Sequence, residues 1–134
     1  MFTALDISAS GLSAQRLRMN TIANNVANVN TTRDINGRPN PFQRQVTIFQ
    51  EGGVGAKGKL GVQVARIEAD HKAPHLEYKP GHPDADANGY VKVPNINPIE
   101  EMVDMMAATR AYEANVTTME ATKSMYSNAL RIIA

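Results

Sequence analysis

Three histidines and two aspartates form a group of side chains that could bind a metal ion: His71, His75, His82, Asp84 and Asp86. Imidazole and carboxylate groups are common protein ligands of zinc. His71 and His75 are four residues apart, a spacing that would direct both rings to one ion on an α-helix. Pro74 and Pro80 prevent a regular helix here. We therefore predict a polar loop that binds neither a metal nor another cofactor.

The rest of the sequence gives no positive evidence for catalysis or nucleotide binding. It has no cysteine, which excludes disulfides, thiol nucleophiles and thiolate metal sites. No serine lies in a G-x-S-x-G elbow. Residues 53–59 (GVGAKGK) have the glycine spacing of phosphate-binding loops, but both motifs require a helix after them, and residues 60–69 are predicted as a strand. The net charge of +1 gives no basic surface for nucleic acid. No apolar run approaches the ~20 residues of a membrane span. We predict a protein that is not an enzyme, does not bind nucleic acid and does not span a membrane.

The elements that must position any functional residue are two helices, one at each end of the chain, predicted at residues 1–28 and 97–134. Asn97 is a favourable N-cap for the second helix, and Pro98 suits its first helical position. Asparagine favours helix ends over helix interiors. The first helix ends in an asparagine-rich stretch that includes Asn24, Asn25 and Asn28.

The middle segment, residues 29–96, has the composition of turns and short strands. It contains six of the seven prolines and eight of the nine glycines. Apolar and polar residues alternate in three stretches, 43–50, 60–69 and 90–93, as in half-buried strands. The predicted fold is therefore mainly α with a small β part: the terminal helices pair as an antiparallel coiled coil, and the middle segment forms β-hairpins and irregular chain.

The pairing is expected because side chains repeat every seven residues along both helices, as in a coiled-coil seam. In the second helix, one line comprises Met102, Thr109, Val116, Lys123 and Leu130. The line three residues further on comprises Met105, Tyr112, Met119, Tyr126 and Ile133. In the first helix, the line comprises Leu5, Leu12, Met19 and Val26. We predict that these lines meet in the seam.

Other faces of the second helix also carry small or apolar residues. The row opposite the predicted seam contains Ala107, Ala114 and Ala121, although alanine is also simply a good helix former. Ile99 and Val103 lie off the seam as well. Apolar stripes on several sides of a small chain are typical of an interaction protein. A head-to-tail contact that does not close into a ring would produce a filament.

Three motifs and one short continuation after the first helix resemble those of bacterial flagellar rod and hook proteins. Residues 23–28 (ANNVAN) end the first helix, and residues 110–115 (RAYEAN) lie in the second. Residues 89–95 (GYVKVPN) precede the second helix, and residues 31–33 (TTR) follow the first. The last two stretches and the short middle segment are similar to the proximal rod proteins within this family. The chain is identified as a member of the flagellar rod family by motifs at both of its ends.

The resemblance implies a structural role. Such proteins place both terminal helices in an inner layer around a central channel, and they pack against copies of themselves and other rod proteins in a helical tube that transmits motor torque. Export and hub components of the basal body are further implied partners. The implied location is the rod in the periplasm, reached by type III export without a cleaved signal peptide. The first residues lack the basic region and apolar run of such a signal.

The residues predicted to form the assembly surface come from both helices. They are Leu5, Leu12, Met19, Val26, Asn24, Asn25, Asn28, Met102, Met105, Arg110, Tyr112, Asn115, Val116, Met119, Tyr126, Leu130 and Ile133. The alternative function is a soluble coiled-coil adaptor or export chaperone, which would form a closed oligomer. A metal-dependent hydrolase that uses the histidine and aspartate loop is a third hypothesis, which predicts bound metal.

Overall fold

The computed structural model describes residues 2–52 and 60–133. Two long helices flank four short strands. These elements are α1 (Phe2–Ala27), β1 (Gln45–Glu51), β2 (Val62–Ala69), β3 (His75–Tyr78), β4 (Tyr90–Val93) and α2 (Pro98–Ile133). The start of α2 has the predicted cap, because Asn97 Oδ1 accepts a hydrogen bond from the Ile99 backbone N–H at 3.1 Å. In the described part of the chain, no helix is long and apolar enough to span a bilayer.

The two helices pack side by side in opposite directions, which confirms the predicted antiparallel pairing. Gly11 lies against Asn115, and Asn25, near the end of α1, contacts Glu101, near the start of α2. From Gly11, α1 continues for about nine residues to Phe2, so its described part ends close to Ser124. The last turns of α2 therefore extend past α1.

One of the two lines predicted for α2 lies in the seam. The second line of the observed seam lies one residue before the other predicted line. The line of Met105, Tyr112 and Met119 is half-buried, as expected. The other predicted line is only partly in the seam: Thr109 and Val116 are half-buried, and Thr109 Oγ1 lies 3.6 Å from Met19 Sδ, whereas Met102, Lys123 and Leu130 are exposed. The more buried line begins at the preceding position: Glu101, Ala108, Asn115 and Thr122. These side chains are small or polar, so apolar character did not identify them.

The strands form two separate antiparallel hairpins. β1 pairs with β2, with an irregularity between Ile48 and Phe49, and β3 pairs with β4. The stretches 43–50, 60–69 and 90–93 overlap β1, β2 and β4, which confirms the small β part. The sequence did not predict β3, because its four residues lie between two prolines in the stretch predicted as a polar loop.

The first hairpin docks on α1 through a close backbone contact. The Val62 backbone N–H donates to Ser10 Oγ at 3.1 Å, and Ser10 Oγ donates to the Ile7 carbonyl at 2.7 Å. Gly61 precedes this contact with φ +104°, and a Cβ there would overlap Ser10 Oγ. Glycine is required at this position for both its backbone conformation and its size.

Few apolar side chains of the described residues are fully buried. The buried apolar residues are Ala14, Ile22, Val91, Val93, Ile96 and Ala108. Much of the contact between α1, α2 and β1 is instead made by polar groups, which must be hydrogen-bonded to be tolerated in the interior. The geometry of these polar contacts determines how the helices are held.

Candidate functional site

Asn25 holds three elements together at the end of α1. Its side-chain Oδ1 accepts a hydrogen bond from the Gln45 backbone N–H at 2.8 Å, and its Nδ2 donates to the Gln45 carbonyl at 2.8 Å. The same Nδ2 donates to Glu101 Oε2 at 3.0 Å. Asn25 is 1% exposed. One amide thus pairs with the first residue of β1, as a neighbouring strand would, and also with α2.

Glu101 is the buried charge at this junction, with 0% exposure. Arg44 Nε donates to Glu101 Oε1 at 2.6 Å, so the carboxylate is satisfied on both oxygens. The same guanidinium lies 3.5 Å from Asp104 Oδ2, and Arg18 lies 3.3 Å from Asp104 Oδ1. Because a buried carboxylate requires such partners, the correct positions of α1, β1 and α2 depend on one another.

The neighbouring asparagines cap the end of α1. Asn28 Nδ2 donates to the Asn24 carbonyl at 2.9 Å and to Asn24 Oδ1 at 3.0 Å. Thr31 Oγ1 donates to Asn28 Oδ1 at 3.1 Å. Asn24 Nδ2 also donates to Gln45 Oε1 at 3.2 Å. The 23–28 motif therefore ends the helix, turns the chain and directs it toward β1.

Further along the seam, Gly11 permits a close approach between the helices. A Cβ built on Gly11 would lie 2.9 Å from Asn115 Nδ2. Real Cβ atoms do not approach other heavy atoms so closely, so any larger residue would displace the Asn115 side chain. Gln15 Oε1, one turn further along α1, is buried without a hydrogen-bond partner among the described residues. This stretch of the seam is consequently polar and tightly spaced.

The predicted histidine and aspartate group does not come together as a metal site. Among the described residues, no three or more such side chains are placed to hold an ion. Asp84 instead accepts hydrogen bonds from Arg33 Nε at 2.6 Å and Thr32 Oγ1 at 2.8 Å. The Asp84 backbone N–H donates to His82 Nδ1 at 3.1 Å. These contacts connect the chain after α1 to the loop between β3 and β4.

The hydrogen bond from Arg33 lowers the pKa of the Asp84 carboxyl below its ordinary value. Partial burial opposes this effect, and the Thr32 hydroxyl adds to it. The same contact raises the pKa of Arg33. Both shifts have the sign expected of an ion pair that favours both charged forms.

Two exposed apolar patches lie at opposite ends of α2. We call the first the head patch; it comprises Ile99, Met102, Val103 and Met106. We call the second the tail patch; it comprises Met125, Tyr126, Leu130 and Ile132. Ile99 is 68% exposed and Ile132 is 86% exposed. Such side chains are costly to leave in water, so both patches are candidate contact surfaces.

The predicted assembly residues divide by exposure. The exposed ones are Asn24, Val26, Met102, Arg110, Tyr126 and Leu130. The half-buried ones are Leu5, Leu12, Met19, Asn28, Met105, Tyr112, Asn115, Val116 and Met119. Asn25 is buried within the chain, and the Ile133 side chain lies outside the described residues.

Sequence reasoning missed Arg44 and Glu101 as central residues. Glu101 follows Glu100 in the first turn of α2, where acidic residues are explained by the helix dipole. One signal was present: Glu101 is seven residues before Ala108, on the line that faces α1 and Asn25 in an antiparallel pair. An acid on that line requires a cation from elsewhere in the chain.

The chain is similar to known proteins along nearly its whole length. Residues 5–33 match the family described as flagella basal body rod protein. Residues 87–132 match the C-terminal family of the flagellar basal body rod FlgEFG proteins. The flagellar basal-body rod protein FlgC of Bacillus subtilis is 43% identical over 98% of this chain and 97% of its own length. That of Borreliella burgdorferi is 42% identical over 99% and 97%, and that of Salmonella typhimurium 36% identical over 98% and 97%.

A pair of terminal helices held by a polar junction, with apolar patches left exposed, defines a structural subunit of a larger assembly. The chain belongs to the flagellar basal-body rod protein family, which confirms the family membership expected from the sequence motifs. It is a structural subunit of the rod in the flagellar basal body and assembles with other rod proteins. The comparisons do not favour the adaptor or chaperone alternative.

Proposed function

We propose that this subunit builds the proximal part of the rod, with both terminal helices in the inner layer of a helical tube around the export channel. In this arrangement the tube transmits motor torque, and the subunit has no catalytic role. The division into residues 1–28, 29–96 and 97–134 is also functional: the terminal helices make the tube, and the middle segment braces them.

The observation that carries this proposal is the extension of α2 past α1. α2 continues beyond Thr122 to Ile133, past the point where the described part of α1 has ended. Leu130 and Ile132 on this extension are exposed. Exposed apolar side chains on this extension are available for packing against a neighbouring subunit.

The finer location and partners follow from the same proposal. The subunit occupies the periplasmic portion of the rod, after type III export without a cleaved signal peptide. Its contacts include export and hub components at the base of the rod. The exposed members of the predicted assembly surface, such as Met102 and Leu130, are available for these contacts, whereas Asn25 acts indirectly by holding the helices in position.

A deletion and a matched pair of substitutions test the proposal. Cells that lack the chain should have basal bodies without a rod in electron micrographs and should not swim. Leu130→Asp should give the same result while α1 and α2 remain folded, because it charges an exposed apolar surface. Thr117→Asp, on an exposed polar part of the same helix, should leave rods intact. Intact rods in the deletion strain would refute the proposal.

A further inference from the structure

Two turns of the middle segment share a sequence pattern and a hydrogen-bond pattern. Residues 34–38 (DINGR) and 86–90 (DANGY) both begin with aspartate and contain the only two Asn-Gly pairs of the sequence. In each turn the aspartate Oδ1 accepts hydrogen bonds from the backbone N–H groups two and four residues later, at 2.8 and 3.0 Å. In each turn the glycine N–H donates to the aspartate carbonyl at 2.9 Å. The two Asn-Gly pairs are therefore matched in local geometry.

An Asn-Gly pair is chemically reactive without any other residue. The glycine backbone nitrogen, after it loses its proton to a base in the solvent, attacks Cγ of the asparagine side chain. A bond forms between this nitrogen and Cγ, the Cγ–Nδ2 bond breaks, and ammonia leaves after taking up the proton, so that a succinimide ring remains. Addition of water to one ring carbonyl or the other gives aspartate or isoaspartate. Glycine favours the attack because it has no Cβ beside the nitrogen and adopts a wide range of backbone angles.

In both turns this reaction requires local opening. The backbone rotation that brings the glycine nitrogen to the asparagine Cγ breaks the hydrogen bond from the glycine N–H to the aspartate carbonyl. The rate therefore depends on the free energy of opening, which is small where a segment makes few contacts with the rest of the fold. The surroundings of the two turns then decide which asparagine reacts.

The turn at residues 34–38 makes few contacts outside itself. A Cβ built on Gly37 would meet nothing within 4 Å beyond its chain neighbours among the described residues. Ile35 at the tip is 102% exposed, and Asn36 is exposed as well. The turn is closed by an isolated bridge between Arg33 and Pro39, and proline has no N–H to donate to it. Opening therefore breaks little more than the hydrogen bonds of the turn itself.

The turn at residues 86–90 is held by the hairpin that follows it. Gly89 is half-buried, and a Cβ there would lie 2.9 Å from a ring atom of Tyr78 and 3.2 Å from Pro80 Cβ. The Lys79 backbone N–H donates to the Gly89 carbonyl at 2.9 Å. Tyr90 ends the turn and begins β4, and its ring packs edge-on against Tyr78 with the centroids 5.3 Å apart. Opening this turn would also disturb the end of the β3–β4 hairpin.

We propose that Asn36 is a site of spontaneous deamidation through a succinimide, and that the fold protects Asn88 from the same reaction. Water is the only co-reactant, and the inference does not depend on the role of the chain in the rod. The product places a new negative charge close to Asp34, and isoaspartate lengthens the backbone by one carbon. The two hydrogen bonds to Asp34 Oδ1 then no longer fit the turn, so the modified tip loses its closed form.

Mass spectrometry of the aged protein tests the proposal. The purified, folded chain is incubated in mildly alkaline buffer, sampled over time and digested with trypsin, which places Asn36 and Asn88 on different peptides. Asn36 should be converted roughly tenfold faster than Asn88 or more, and it should give aspartate and isoaspartate as two products of equal mass. Equal rates, faster conversion of Asn88, or aspartate as the single product would overturn the inference.

Two controls show whether the fold causes the difference. In concentrated guanidinium chloride the two asparagines should react at similar rates, because neither turn is then formed. Tyr78→Ala removes the ring that covers Gly89 and should accelerate the reaction of Asn88 while leaving Asn36 unchanged. Leu76→Ala, at an exposed position on the same face of β3, should change neither rate. A difference that persists in the unfolded chain, or an Asn88 that remains slow in Tyr78→Ala, would refute protection by the fold.

Discussion

Arg44 Nε and Glu101 Oε1 lie 2.6 Å apart at the point where α1, β1 and α2 meet, and the carboxylate is completely buried. The other carboxylate oxygen is held by Asn25. The two residues are far apart in the sequence, so their contact fixes the beginning of α2 to the arm that follows α1. The relative positions of both helices therefore depend on the guanidinium group of Arg44.

Replacement of Arg44 should therefore destabilise the chain strongly. Among the described residues, Arg44→Met leaves the buried Glu101 carboxylate with Asn25 as its remaining partner, and we expect a loss of about 3 kcal/mol in the free energy of unfolding. Urea denaturation followed by circular dichroism measures it. The additional change Glu101→Gln should recover part of the loss, because it removes the uncompensated charge. Arg38→Met, at an exposed position, should change stability by less than about 0.5 kcal/mol.

Asn25→Asp should destabilise the fold strongly, although the two side chains are almost equal in size. The substitution removes the donor to the Gln45 carbonyl and places a second carboxylate beside Glu101. We expect a loss of about 3 kcal/mol, since buried groups lose partners and like charges are brought together. Thermal unfolding measures it. Asn20→Asp, on the exposed side of α1, is the control and should be nearly neutral; an equal loss there would contradict the role assigned to the junction.

Gly11 and Asn115 should be energetically coupled. In an Asn115→Ala background, Gly11→Ala should stabilise the chain by about 1 kcal/mol through helix propensity. In the native background the same change must displace the Asn115 side chain, so the gain should be smaller or absent. A double-mutant cycle from denaturation data measures the difference. Strict additivity would show that the helices do not approach each other closely at Gly11 in solution.

The contact between Arg33 and Asp84 should make the free energy of unfolding depend on pH at acidic pH. Because the pKa of the Asp84 carboxyl is lowered in the folded chain, the contribution of the contact is fully present above the ordinary carboxyl pKa. It is lost as the pH falls through the lowered value. Carboxyl carbon chemical shifts followed against pH should give the low pKa directly. Arg33→Gln should raise the pKa of Asp84 toward its ordinary value, whereas Arg38→Gln should leave it unchanged.

The sequence predicted the two helices and their pairing because those depend on local signals and a repeat. Asn97 and Pro98 mark a helix start by their own chemistry, and the asparagines at the end of α1 mark its stop. The strand stretches were predictable from alternation. β3 was not, because four residues between prolines are too short to establish a period.

The exact seam and the junction could not be predicted from apolar patterns. Ala108 and Thr122 are buried and Asn115 is half-buried between the helices, and Gly11 lets the helices come close at Asn115, a relation that involves both helices at once. Arg44 appears in the sequence as one arginine at the edge of a strand. Its importance arises only when the fold brings Glu101 to it. The open faces were foreseen, but their division into two separate patches depends on how far α2 extends past α1.

Within the described residues, α2 extends beyond α1, so this end of the helix pair is stepped instead of flat. The step is about 13 Å long at 1.5 Å per residue. Two stepped ends can overlap side by side. A twisting load would then act mainly as shear between the sides of overlapping helices, and little of it would pull the subunits apart along the helix axis. The stiffness of such a joint would increase with the length of the overlap. Shortening α2 by one turn would therefore lower the torsional stiffness of the rod while still allowing it to assemble.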